Sequence, residues 1–187
     1  ENQMGLDVTT LGNHEHDRNQ AHLQKMINAS TFKWVAANYS TFDTVQGITP
    51  YTIIDRGGVK VAFVGANNPE TLQVATKDNI GKINILDPVA AVNSAIKDAR
   101  AAGAQMVVVL THLGFAENVA DKATGPLLDA AAQIKGADLI FGAHSHLKYA
   151  GRVNGTLVAE TTNAGALYAR QTICRDAITG RTIGTAG

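Results

Sequence analysis

Short apolar runs alternate along the chain with segments whose apolar residues recur every three or four positions, and this alternation predicts an α/β fold with at least partly parallel strands. "LDVTTLG" reads as a buried strand ending at Gly12, and Leu23, Met26 and Ile27 then mark one apolar face of a helix between Arg18 and Ala29. "FKWVAANYS" is the next strand. "YTIIDRGGVKVAFVGA" predicts two strands joined at Gly57-Gly58, a hairpin signal. The best-marked helix is "DPVAAVNSAIKDARAAG": Asp87 caps it, Pro88 suits its first turn, Val89, Val92, Ile96 and Ala99 form the buried stripe, and Gly103 ends it. "QMVVVLTHLG" is a strand apolar enough to be covered on both faces. A helix through "GPLLDAAAQI" and the strand of "GADLIFGAHSH" follow, and the tail, "GTLVAETTNAG" and "YARQTICRDAITGRTIG", reads as antiparallel strands turning at Thr179-Gly180.

Five of the six histidines fall at three of these strand ends: His14 and His16 after the first strand, His112 after "MVVVL", and His144 and His146 after "DLIF". Ligands bind at the carboxyl edge of an open α/β sheet, so three such ends can bring these imidazoles into one crevice. His22, on the polar side of the first helix, reads as an ordinary solvated residue, and His16 as a residue of the pocket wall. In an extended "HSH" segment His144 and His146 point to the same side and can serve neighbouring metal positions. Asn13 adds a neutral, hard oxygen donor. Asp17, three residues beyond His14, shares a face with it if a helix begins there, and a carboxylate on an imidazole fixes its tautomer and supports its protonated form. The same aspartate is also placed to cap that helix.

Charge narrows the chemistry further. Sixteen basic and sixteen acidic residues balance over 187 positions, leaving no electrostatic footprint for a nucleic-acid polymer or an anionic membrane. No run approaches the roughly 18 apolar residues of a membrane span, and the opening residues read like the middle of a domain rather than a leader. Cys174 is the only cysteine, so a metal must be held by His, Asn and carboxylate. Asn13, His112, His144 and His146 are all neutral, whereas two divalent ions carry four positive charges. The carboxylates Glu15, Asp17, Glu117 and Glu160 are possible donors, but no spacing singles one out.

"GNHEHD", "THLG" and "GAHSH", in that order and separated by α/β units, resemble the later signature blocks of the calcineurin-like metallophosphoesterases. "PYTIIDRGGVKVAFVGANNPET" and the closing "NAG" strand resemble the bacterial branch of 5'-nucleotidases and 2',3'-cyclic-nucleotide phosphodiesterases. The resemblance implies a two-sheet β-sandwich flanked by helices, in four layers, with residues 1–187 as one domain incomplete at its amino terminus. It implies two divalent metal ions (Zn, Mn, Fe, Mg or Ca), Asn13, His112 and His144 on one and His146 on the other, with His14 as the catalytic imidazole held by Asp17. A nucleotide or other small phosphoester is then hydrolysed by a metal-bridging hydroxide. The family's earlier blocks, an Asp-x-His and a Gly-Asp, are expected before residue 1, and a nucleotide-specificity domain after residue 187. Export to the periplasm or cell surface is implied by the resemblance alone.

Two other readings remain open on the sequence. One is an amidohydrolase-type metal hydrolase, which also uses H-x-H; the other is a non-catalytic fragment that binds metal weakly without its missing segments.

Overall fold

A computed structural model of the chain describes residues 1–40, 45–116, 123–180 and 182–186. In order the elements are β1 (Val8–Thr10), α1 (Gln20–Ala29), β2 (Lys33–Val35), β3 (Ile48–Thr49), β4 (Tyr51–Arg56), β5 (Val59–Ala66), the single-turn helices α2 (Thr71–Val74) and α3 (Lys77–Ile80), α4 (Pro88–Ala101), β6 (Met106–Thr111), α5 (Pro126–Gln133), β7 (Leu139–Phe141), β8 (Tyr149–Val153), β9 (Thr156–Glu160), β10 (Gln171–Arg175) and β11 (Thr182–Ala186). The expected α/β class holds.

Six strands form a mixed sheet in the order β4-β5-β6-β7-β9-β8, parallel through its middle and closed at both edges by antiparallel partners. The hairpin predicted at Gly57-Gly58 is present, both glycines having positive φ. The antiparallel tail turn expected at Thr179-Gly180 is present between β10 and β11, whereas β9 pairs antiparallel with β8 and inserts parallel beside β7. β6 is buried on both faces. Val107 and Val109 meet α4 and α5 together with Ala62, Val64, Ile140 and Val158, while Val108 joins Leu139 and Leu157 on the opposite face. Period-two alternation thus feeds two separate cores from one strand.

α4 behaves as its sequence requires. Asp87 Oδ1 accepts from Ala90 N at 2.7 Å, and Val92, Ala95, Ile96 and Ala99 are buried against the sheet. By contrast α1 begins two residues later than the periodicity suggests, because Asn19 rather than Asp17 caps it, its Oδ1 taking the His22 amide at 3.0 Å. Asp17 is thereby left to other work.

β1 lies in a separate three-stranded parallel sheet, β1-β2-β3, whose Trp34 and Ala36 pack with Leu23, Ile27 and Phe32 in a core of their own. The site-bearing strand ends therefore come from two sheets rather than one open edge. The sheets are pinned at Gly65, whose carbonyl accepts from Ala37 N at 2.8 Å. A Cβ at Gly65 would stand 2.0 Å from the Val35 carbonyl oxygen, so only glycine permits this approach.

Gly65→Ala is expected to force the sheets apart and to cost at least about 2 kcal/mol, within the usual range for overpacking. Urea unfolding measures this directly; an unchanged midpoint would show that the junction yields freely.

Candidate metal centre

Leu11 is wholly buried and Gly12 brings the chain out beneath the ring of His112, to which an added Cβ would come within 2.6 Å. Residues His14–His16 then form a single 3-10 turn, closed by the His16 and Asp17 amides on the carbonyls of Asn13 and His14. Residues three apart eclipse in such a turn. That geometry, not an α-helix, sets His14 Nδ1 2.7 Å from Asp17 Oδ2, with both side chains open to solvent at 71% and 63% exposure.

Behind this dyad three neutral donors converge. Asn13 Oδ1 lies 2.8 Å from His112 Nε2 and 3.2 Å from His144 Nδ1, and the two ring nitrogens are themselves 3.2 Å apart. Ligands sharing one cation at about 2.1 Å are about 3.0 Å apart at right angles and about 3.4 Å apart in a tetrahedron; the two 3.2 Å separations fall in that range and the 2.8 Å one just below it, so a small relaxation of the triangle accommodates one divalent ion. Burial, reinforced by the neighbouring His144, His14 and His146, lowers the His112 pKa to about 4. The imidazole is thus neutral at ordinary pH, as a ligand must be. Among the described residues no three His, Cys, Asp or Glu side chains gather as a ligand set, because the third donor here is an amide.

An extended "HSH" segment would put His144 and His146 on one side. Instead both adopt left-handed backbone, with φ of 87° and 60°, at a bend between β7 and β8. His144 turns inward to the triangle, whereas His146 stands outside it and is exposed. The far nitrogen of His144, Nε2, faces Glu70 Oε2 at 3.5 Å, and Glu70 is in turn held by Asn68 Nδ2 at 3.3 Å. Glu70 follows the carboxyl end of β5, the same signal that marks the histidines, and could have been found by it.

The possible carboxylate donors are otherwise engaged. Glu15 Oε2 accepts from Gly12 N at 2.6 Å, Asp17 is paired with His14, and Glu160 receives the amides of Phe115 and Ser145. Burial raises the pKa of both Glu15 and Glu160. Glu117 lies outside the described residues.

His16 is not a pocket-wall residue. It is 1% exposed, stacked on Tyr39, with Nε2 2.8 Å from the Tyr39 hydroxyl. Asn67 Nδ2 donates to that hydroxyl at 2.5 Å and to Gly12 O at 3.3 Å. Asn38 locks Asn67 from behind, accepting its amide at 2.9 Å and donating to its carbonyl at 2.8 Å. Asn38, Tyr39 and Asn67 passed unnoticed in the sequence, since each looks like an ordinary loop residue until its partners, about thirty positions away, fold beside it.

Residues 3–148 match the model of a family described as calcineurin-like phosphoesterase. The chain is 31% identical over 176 residues to the endonuclease YhcR of Bacillus subtilis, covering 87% of this chain and 14% of that protein. It is also 31% identical over 155 residues to the trifunctional nucleotide phosphoesterase YfkN of the same organism, covering 78% of the chain and 11% of YfkN. The crystal structure of calcineurin-like phosphoesterase YfkN superposes with a TM-score of 0.72 at 28% identity, covering 86% of this chain and 55% of that one. A 5'-nucleotidase precursor from Thermus thermophilus shares the fold at a TM-score of 0.80 and 24% identity, over 98% of this chain and 39% of its own. The chain thus spans a small part of the curated relatives it matches.

Burial lowers the His16 pKa to about 4 from 6.5, so the unfolded chain takes up a proton that the folded one refuses. The stability His16 contributes is whole above pH 6.5 and is lost as pH falls toward 4, amounting to about 2 kcal/mol by pH 5. His112 acts in the same direction. Thermal unfolding at pH 7 and pH 5 is expected to show a smaller acid loss in His16→Gln than in the parent; equal losses would remove His16 as a source.

Proposed function

The chain belongs to the calcineurin-like phosphoesterase family, and from that premise we propose that it carries part of the dinuclear metal centre of a hydrolase for small phosphoesters, nucleotides foremost. The meeting of Asn13, His112 and His144 beside the His14–Asp17 dyad is the observation that supports this reading most. Asn13, His112 and His144 would hold one cation and His146 would serve the second. When bound, two divalent ions supply Lewis acidity and lower the pKa of a water nucleophile.

The dyad supplies the complementary function. His14 is exposed at the mouth of the site, so its Nε2 is free to give a proton to a leaving oxygen while Asp17 holds Nδ1 and fixes the tautomer. Because the convergent donors are neutral and Glu15, Asp17 and Glu160 are engaged with other partners, we assign the remaining ligands, a bridging carboxylate among them, to an Asp-x-His and a Gly-Asp outside these residues. One domain over residues 1–187, a separate nucleotide-specificity domain and export from the cytoplasm belong to the same proposal. No described helix is long and apolar enough to cross a membrane.

An amidohydrolase barrel is not formed by the described residues, whose strands lie in two open sheets and a hairpin. The balanced charge favours a small substrate over a polymer, although one relative is named an endonuclease. A panel of nucleotides, cyclic nucleotides, bis(p-nitrophenyl) phosphate and single-stranded DNA separates these classes, and preferential cleavage of the polymer would overturn the small-substrate reading.

In the complete protein, His14→Ala is expected to lower phosphodiester turnover by about 10²-fold or more at unchanged metal content. A smaller loss rules out proton donation by His14. Chelation is expected to abolish activity and Mn²⁺ or Zn²⁺ to restore it; turnover that survives chelation would sink the metal reading.

A further inference from the structure

Glu160, at the end of β9, is 2% exposed and takes no part in the donor triangle. Its carboxylate closes a knot between the two histidine loops. Oε1 accepts from Ser145 N at 3.1 Å and from Ser145 Oγ at 2.7 Å, and Oε2 accepts from Phe115 N at 3.2 Å, an amide it shares with Ser145 Oγ. Ser145 lies between His144 and His146, and Phe115 lies three residues beyond His112. The loops are back to back: a Cβ on Gly114 would stand 2.6 Å from Ser145 Cβ.

We propose that Glu160 is the positioning residue of the metal centre, its buried carboxylate clasping the His112 and His144–His146 loops through their amides so that the imidazoles are aimed before any ion arrives. The inference rests on the metal-centre reading above. Its physical basis is the left-handed backbone of His144 and His146, which non-glycine residues hold only when surrounding bonds impose it. A carboxylate is suited to the task because every donor around it is an N–H or O–H, and an acceptor-only group satisfies them all. Glutamine would present its own NH₂ to at least one of these donors.

The test uses the complete protein titrated with Co²⁺, read by calorimetry and by the visible absorption of the bound ion. Glu160→Gln, checked as folded by circular dichroism, is expected to bind Co²⁺ about 10-fold or more weakly and to alter the absorption band. Val158→Ala, a core change on the same strand, is expected to lower thermal stability while leaving the affinity within about twofold. Parent-like binding by Glu160→Gln overturns the inference, as does an equal loss in Val158→Ala. Should Glu160→Gln fail to fold, Ser145→Ala decides: it removes one donor from the clasp, so weaker binding supports the inference and unchanged binding overturns it. A parent that binds no Co²⁺ rejects the metal-centre reading itself, and the inference with it.

Discussion

The backbone contact between Gly65 and the β2 strand end governs everything that follows. Asn13 is carried by the three-stranded sheet, whereas His112 and His144 are carried by the six-stranded one. Their donor atoms can lie within 3.2 Å only if the sheets stand at a fixed spacing. The Gly65 carbonyl and the missing side chain set that spacing, and Gly12 performs the same service closer to the site by letting the His112 ring lie against bare backbone. Two glycines without chemistry of their own thereby determine whether the chemistry can assemble.

Charge is distributed to suit a cation. Burial and the neighbouring imidazoles together suppress the protonation of His112, which therefore presents a lone pair rather than a positive charge. Glu15, Glu160 and Asp17 do not neutralise the donor triangle, because they are spent on architecture, Glu15 on the Gly12 turn, Glu160 on the two histidine loops and Asp17 on His14, while Glu70 meets the far nitrogen of His144 at 3.5 Å. This division explains why a row of acidic residues beside a metal motif is a poor guide to which of them are ligands. A buried carboxylate surrounded by amide donors is already satisfied, and withdrawing it to bind an ion would orphan those donors.

A second polar assembly, His16–Tyr39–Asn67–Asn38, braces the opposite side of the "GNHEHD" turn. It anchors the Gly12 carbonyl through Asn67 while Glu15 holds the Gly12 amide, so the residue preceding Asn13 is fixed at both ends. The exposed His14–Asp17 pair sits on a support that is itself buried and hydrogen-bonded. Rigid support beneath an open functional group is what preorganisation requires.

The sequence by itself determined what is local or periodic. Period-two and period-3.6 patterns placed β5, β6, α4 and α5, the Asp87 cap and the Gly57-Gly58 hairpin, and the clustering of histidines after strands marked Asn13, His112 and His144. Its errors fall where spacing alone cannot choose between geometries: Asp17 and Asn19 both suit a helix cap, and "HSH" suits either an extended segment or a left-handed bend. Only the tertiary structure decided that His16 is buried, that Glu160 on β9 and Glu70 in the loop after β5 face the histidine loops, and that the site bridges two sheets. The reason is physical: a side chain's partners across space follow from packing and hydrogen-bond satisfaction between segments distant in sequence, and no local pattern encodes them.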